Sequence, residues 1–229
     1  MKFSIWQRAC AEFLGTAFLV TAVVGSGIMG DRLSNGNTAI ALLANSIATR
    51  AALVTLILTF GPISGAHFNP VVTVADALSG GLARADILPY ILAQFAGGFA
   101  GTINSHFMFG LPGITYSRHA RSGVTQFYAE IVATFGLMGV ISTCSKLNAR
   151  AIPVAVGGYI AAAYWFTSST SFANPAVAVA RCFTDTFAGI RPRDVPGFVV
   201  AEALGAALAF LLFRWLIAPR ISAESGACR

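Results

Sequence analysis

The sequence predicts an all-α membrane protein of six spanning helices and two re-entrant half-helices, arranged as an inverted 3+3 repeat. Three observations carry that prediction. Apolar runs close to the roughly 20 residues that a helix needs to cross a bilayer recur along the whole chain. Two further apolar segments are each interrupted by Asn-Pro, and the second half repeats words of the first in the same order. With 56% hydrophobic residues, 10% charged residues and a mean hydropathy of +0.72, a mostly water-facing surface is excluded. No stretch is left for a separate soluble domain, so residues 1–229 read as one domain.

The first span is drawn at about 6–29. Lys2 and Arg8 ahead of a long apolar run resemble a secretory leader, but the run is too long and no A-x-A site closes it, which makes it a retained helix. The second span covers about 38–60. Residues 61–82 are too long for a tight turn and too apolar for a solvated loop, and Asn69-Pro70 would interrupt a spanning helix, so this segment is read as re-entrant. In the third span, about 87–109, Gly97 and Gly101 form a small-xxx-small pair that lets helices approach closely. Spans four and five fall at about 125–145 and 152–167. Residues 168–190, with Asn174-Pro175, form the second re-entrant segment, and the sixth span covers about 196–217.

AEFLGT at 11–16 recurs as AEIVAT at 129–134, HFNPVV at 67–72 answers FANPAV at 172–177, and AQFAG at 93–97 answers AEALG at 201–205. Repeat 1 (about 6–109) and repeat 2 (about 125–217) each hold an odd number of spans, which forces the second to insert upside down. With a cytoplasmic N-terminus, Lys2, Lys146, Arg8, Arg84, Arg150, Arg214, Arg220 and Arg229 fall inside, a small bias of the positive-inside sign. The expected home is a bacterial inner membrane, with both termini cytoplasmic.

Asn is among the best N-caps, and Pro is favoured at the first helical position because its missing N–H costs nothing there. Asn69-Pro70-Val71 and Asn174-Pro175-Ala176 should therefore each start a half-helix. Inverted insertion brings both positive helix ends to the bilayer midplane, where they repel cations and present Asn amides to a passing solute. Glu12 and Glu130 would be expensive in lipid, so both are expected inside the bundle and hydrogen-bonded.

SGAHFNPVVTV at 64–74 and SFANPAVAV at 171–179 resemble the two signatures of the major intrinsic protein family, the aquaporins and aquaglyceroporins. The resemblance covers essentially the whole chain. It implies the aquaporin fold, a pore in each subunit of a homotetramer, and passive flux of small uncharged solutes. It also implies that Glu12 and Glu130 hold the re-entrant loops and that His67 faces the cytoplasmic pore mouth; a His67 that fixes the loop backbone is the alternative.

Family members carry a narrower filter toward the outside. Counting twenty residues before the first motif Asn, and twelve before, three before and three after the second, gives Thr49, Ala162, Ser171 and Val177. The last is normally arginine. Valine supplies neither its charge nor its donors, no aromatic ring stands at the four counted places, and Ala178 replaces the aspartate usual in glycerol channels. A wide, neutral filter suits arsenous acid, antimonous acid, methylated arsenicals, glycerol or urea better than water alone. The Val-substituted pattern is similar to bacterial arsenic-resistance aquaglyceroporins of the rhizobial type, which puts arsenite first. Arg181, four residues after Val177 and about 6 Å farther along the helix at 1.5 Å rise per residue, is expected either to restore a vestibule charge or to bond carbonyls at the half-helix end. Arg50, one residue beyond Thr49, is expected to face a neighbouring helix or to snorkel.

Other classes find little support. The net charge of +6 is spread singly over helix ends and loops, which speaks against nucleic acid. Cys10, Cys144, Cys182 and Cys228 show no C-x-x-C spacing, and the three histidines are far apart, so neither a metal site nor a cofactor is indicated. Cys182 is read as a small packing residue, with arsenical binding as the alternative. No nucleophile with a base and no phosphate-binding glycine loop suggests an enzyme. A secondary transporter would need a midplane ion site beyond Glu12 and Glu130; a structural membrane protein would conduct nothing.

Overall fold

The computed structural model describes residues 3–218, so Lys2, Arg220, Cys228 and Arg229 lie outside the described residues. Among the described residues there are eight α-helices: α1 (Ile5–Leu33), α2 (Thr38–Ser64), α3 (Pro70–Leu78), α4 (Ile87–Met108), α5 (Val124–Leu147), α6 (Ile152–Phe166), α7 (Pro175–Arg181) and α8 (Val195–Leu216). Local chemistry sets their ends. Ser4 and Gln7 close a capping box on α1, and Asn37 caps α2 by accepting from Ala39 and Ile40. Gly65, at φ 92°, ends α2 in the left-handed region where only glycine is unstrained.

α2 continues to Ser64, past the end expected at residue 60, although Gly61 and Pro62 look like a stop. Its last turn is tied into the core, because the Ser64 hydroxyl donates to the Glu12 carboxylate at 2.6 Å and Ser64 O accepts from Tyr90 at 2.8 Å. By length and apolarity four helices among the described residues qualify as spans: α1, α2, α5 and the stretch Pro192–Leu216. α4 is diluted by buried Gln94, Thr102, Ser105 and His106, and α6 has 15 residues. Both nevertheless occupy full places in the bundle.

The repeat is visible in the packing. α1 lies along α4 and α2, and α5 lies along α8 and α6, while α2 meets α6 across the pseudo-twofold. Each half-helix packs on the last helix of both repeats, α3 on α4 and α8 and α7 on α4 and α8. Glycine permits the closest crossings. A Cβ at Gly97 would stand 2.3 Å from the Phe13 carbonyl oxygen, one at Gly101 2.4 Å from that of Ala17, and one at Gly205 2.5 Å from that of Ile131. The α1–α4 and α5–α8 contacts thus use the same device. Phe18, Leu43, Leu92, Leu208 and Leu211 are exposed on the outside, as bilayer-facing side chains are. Glu12, Gln94, Glu130 and Glu202 are fully buried.

Candidate functional site

The two half-helices meet through their N-caps. Asn69 Oδ1 accepts from the Val71 N–H at 3.1 Å, and Asn174 Oδ1 accepts from Ala176 and Val177 at 3.0 and 3.3 Å. Pro70 and Pro175 occupy the first turns. The side-chain amides then cross over. Asn69 Nδ2 donates to the Ala173 carbonyl at 2.7 Å, and Asn174 Nδ2 donates to the Phe68 carbonyl at 2.8 Å. An amide NH₂ has two donors, so each Asn keeps one N–H beyond its cross-loop bond. Both residues line one cavity of about 990 Å³.

The loops before these caps are bent out of ordinary geometry. Ala66 and Phe68 in the first, and Thr170, Ser171 and Ala173 in the second, have positive φ between 47° and 63°. Side chains other than glycine adopt this region at a cost and keep it only where the surroundings dictate it. Buried carboxylates do so here. Glu12 accepts from the Ser64 hydroxyl, from the His67 and Phe68 N–H groups at 3.0 and 2.7 Å, and from the Gln94 amide at 2.8 Å. Glu130 accepts from the Phe172 and Ala173 N–H groups at 2.9 and 2.7 Å, and Glu202 from that of Asn174 at 2.9 Å.

At one end of the cavity, that of Arg8 and Ile217, stands His67. It lines the cavity, while its backbone is held by Glu12 and its Nδ1 lies 3.2 Å from Thr73 Oγ1. Its Nε2 is 3.5 Å from Asp76. Lys146 and Arg214 line the same mouth.

At the other end the lining of the cavity, its neck, is made by Thr49, Tyr164, Ser171 and Val177, and not by Ala162. Ala162 is exposed on the outer face of α6, whereas Val156, Ile160 and Tyr164 form the buried stripe. The count of twelve fails because α6 stops at Phe166 and Tyr164 stands only ten positions before Asn174. The expectation of a neck without an aromatic ring is corrected with it. The Tyr164 hydroxyl is 3.2 Å from Thr49 Oγ1, and the buried Ser171 hydroxyl has no partner among the described residues. The missed signal was the spacing 156, 160, 164, one helical face at i, i+4, i+8.

Arg181 is 2% exposed rather than standing free in a vestibule. Its Nε donates to the Ala188 carbonyl beyond α7, and its guanidinium carbon lies 3.4 Å from the Phe172 ring centroid. It lines both the main cavity and a second one of about 400 Å³ on the far side of the neck. Arg121, which the sequence did not single out, lines that second cavity, 5.1 Å from the Phe172 centroid. Its side chain donates to the carbonyls of Gly189 and Ser169 at 2.8 and 3.0 Å. Burial pulls the Arg121 guanidinium below its ordinary pKa. Burial pushes Asp194 up, but bonds from the Arg191 guanidinium and the Arg121 N–H prevail and hold it below the usual carboxylate range. Arg50 is exposed, with its stem against Gly157, and Cys182 is buried and lines neither cavity.

An inverted bundle with a cavity crossing its midplane, two opposed half-helix N-termini and a hydroxyl-lined neck defines a membrane channel for small solutes. The profile described as Major intrinsic protein matches residues 1–149. An aquaglyceroporin AqpS of Rhizobium meliloti (strain 1021) is 55% identical over 218 residues, covering 95% of this chain and 93% of the relative. Aquaporin Z of Bradyrhizobium diazoefficiens is 29% identical, over 92% of this chain and 93% of its own. The X-ray structure of the aquaglyceroporin from Plasmodium falciparum has the same fold, with a TM-score of 0.70 at 20% identity, covering 94% of this chain and 98% of that one. The chain belongs to the major intrinsic protein family, whose members are channels and not enzymes.

Proposed function

We propose that the pore is a passive route for small uncharged solutes rich in hydroxyl groups, with the trivalent metalloid hydroxides, arsenous and antimonous acid, first among them and methylated arsenicals after. The observation that carries this reading is the neck. Thr49, Tyr164 and Ser171 bring three hydroxyls to one stretch of the cavity wall, Ser171 Oγ lacks a partner among the described residues, and Val177 supplies an apolar wall. A buried unpaired hydroxyl is costly unless a solute or water satisfies it. A compact molecule with several hydroxyls can do so while its remaining surface lies against valine. Asn69 and Asn174 then offer the next donors, in line at the half-helix ends.

Glycerol, urea and water flux is the second reading. The same hydroxyls suit glycerol, and the relative of 55% identity is named an aquaglyceroporin. In either case the chain is taken to lie in the inner membrane with both termini cytoplasmic, and to assemble as a homotetramer. Stopped-flow and uptake measurements on proteoliposomes with arsenous acid, glycerol, urea and water decide the ranking. Ser171→Ala should lower arsenous acid and glycerol flux several-fold with little change for water, and Val177→Arg should slow the larger solutes more than water. Equal loss for every solute in both variants would remove the neck from its proposed role.

A further inference from the structure

Two arginines, Arg121 and Arg181, line the cavity beyond the neck. Among the described residues the salt bridges involve Arg8, His67, Arg118 and Arg191, and neither Arg121 nor Arg181. Both are instead fixed by main-chain carbonyls and by Phe172: Arg181 through Nε to Ala188, Arg121 through Nε and one terminal nitrogen to Gly189, Ser169 and the Thr170 hydroxyl. That leaves both terminal nitrogens of Arg181 and one of Arg121 without a protein acceptor among the described residues, on side chains that line the same cavity. The remaining polar lining comes from Thr38, Asn45, His119, Trp165 and Thr170, with no acidic residue. Glu130 and Glu202 lie behind the loop, where they accept its N–H groups, and line neither cavity. Asp194 is likewise engaged, by Arg191 and the Arg121 N–H.

We infer that this far vestibule is a docking site for a small oxyanion, held between Arg121 and Arg181, and that its occupancy obstructs the flux of neutral solutes through the adjoining neck. The physical reasons are direct. Guanidinium groups that are already oriented lose little freedom on binding; the two free terminal nitrogens of Arg181 form a planar N–H pair that matches the oxygens of carboxylate-, sulfate- or phosphate-class anions, and the free terminal nitrogen of Arg121 adds a charged donor. A recess walled partly by Leu42, Trp165 and Phe187 screens these charges less than open water does. Arg181 also lines the main cavity, so an anion on it stands at the entrance to the constriction. Chloride, a sphere, cannot use the bidentate geometry.

The test uses the full-length protein. Inorganic sulfate, with chloride at matched ionic strength as reference, is titrated against glycerol efflux from proteoliposomes and, separately, against detergent-purified protein by isothermal titration calorimetry. Sulfate should bind, and should slow glycerol several-fold when present on the vestibule side, while chloride does neither. Arg121→Gln should weaken sulfate binding at least 10-fold by calorimetry, and Arg121→Lys, which keeps the charge and loses the oriented N–H groups, should fall between. Absence of a sulfate heat, equal effects of chloride, or full binding in Arg121→Gln overturns the site. Sulfate binding without any slowing of flux overturns the obstruction. The inference draws on the channel reading only for its flux measurement, so a chain that conducts no glycerol would sink that reading and leave the calorimetric test intact.

Discussion

The loop ahead of Asn69 and the loop ahead of Asn174 perform the same turn with different chemistry. In the first, one carboxylate serves four donors, because both oxygens of Glu12 are shared among Ser64, His67, Phe68 and Gln94. In the second, two acidic side chains divide three backbone donors: Glu130 takes Phe172 and Ala173, and Glu202 takes Asn174 while its Oε2 has no partner among the described residues. Gln94 and Glu202 occupy matching places in the repeat, so a single change from amide to acid turned a donor into an acceptor. A re-entrant loop therefore fixes the number of N–H groups that must be satisfied, and leaves open which helix satisfies them.

That difference should appear most strongly when the carboxylates are removed. Glu12→Ala orphans four donors, and each unsatisfied buried group costs about 1–3 kcal/mol, so the protein should fail to survive detergent extraction as a monodisperse species. Glu130→Ala orphans two and should survive with a lowered melting temperature. Equal behaviour of the two variants in thermal size-exclusion assays would erase the distinction.

A smaller effect is expected at the caps. Asn174 caps two N–H groups and Asn69 one, and loss of an N-cap costs about 1 kcal/mol. Asn174→Leu should therefore melt below Asn69→Leu, with solute flux cut at least 10-fold in both because each also loses its cross-loop bond and its free N–H. Unchanged flux in both variants would refute their placement in the permeation path.

The smallest effect sharpens the comparison. Glu202→Gln keeps an acceptor for the Asn174 N–H and should stay within about 0.5 kcal/mol of the parent, as substitutions that spare such features do. Gln94→Glu, its mirror image, puts a second acceptor against the saturated Glu12 and should cost about 1–3 kcal/mol. Chemical-denaturant midpoints of the pair test whether the two positions tolerate an acid unequally.

Most of this architecture is legible from the chain because it depends on local chemistry. Asn-Pro announces a capped helix start wherever it occurs, and an acidic residue in an apolar span must turn inward, which made Glu12 and Glu130 readable. Gly97 was readable for the same reason, since only a close helix crossing gives it a use. Tyr164 was not. α6 is apolar around most of its circumference, so its pore-facing stripe has no contrast, and a count from Asn174 assumes a connecting loop two residues longer than this chain has. Arg121 sits in a short polar loop where its spacing carries no signal; its position depends on carbonyls far away in sequence, at Gly189 and Ser169. The reciprocal Asn bonds were hidden likewise, each joining residues more than a hundred positions apart.

Those reciprocal bonds also bear on how the protein is made. Asn69 waits for the Ala173 carbonyl, 104 residues downstream, and the Phe68 carbonyl waits for Asn174. At roughly 5–20 residues per second of synthesis, the first pore loop spends about 5–20 s in the nascent chain with its amide and carbonyl unmatched. The first three spans can enter the bilayer in that interval, but their re-entrant segment has no finished resting place. Biogenesis of the pore is thus a closing of two half-made loops upon each other at the end of translation, and a ribosome that stops short of residue 174 releases a chain that has helices and no channel.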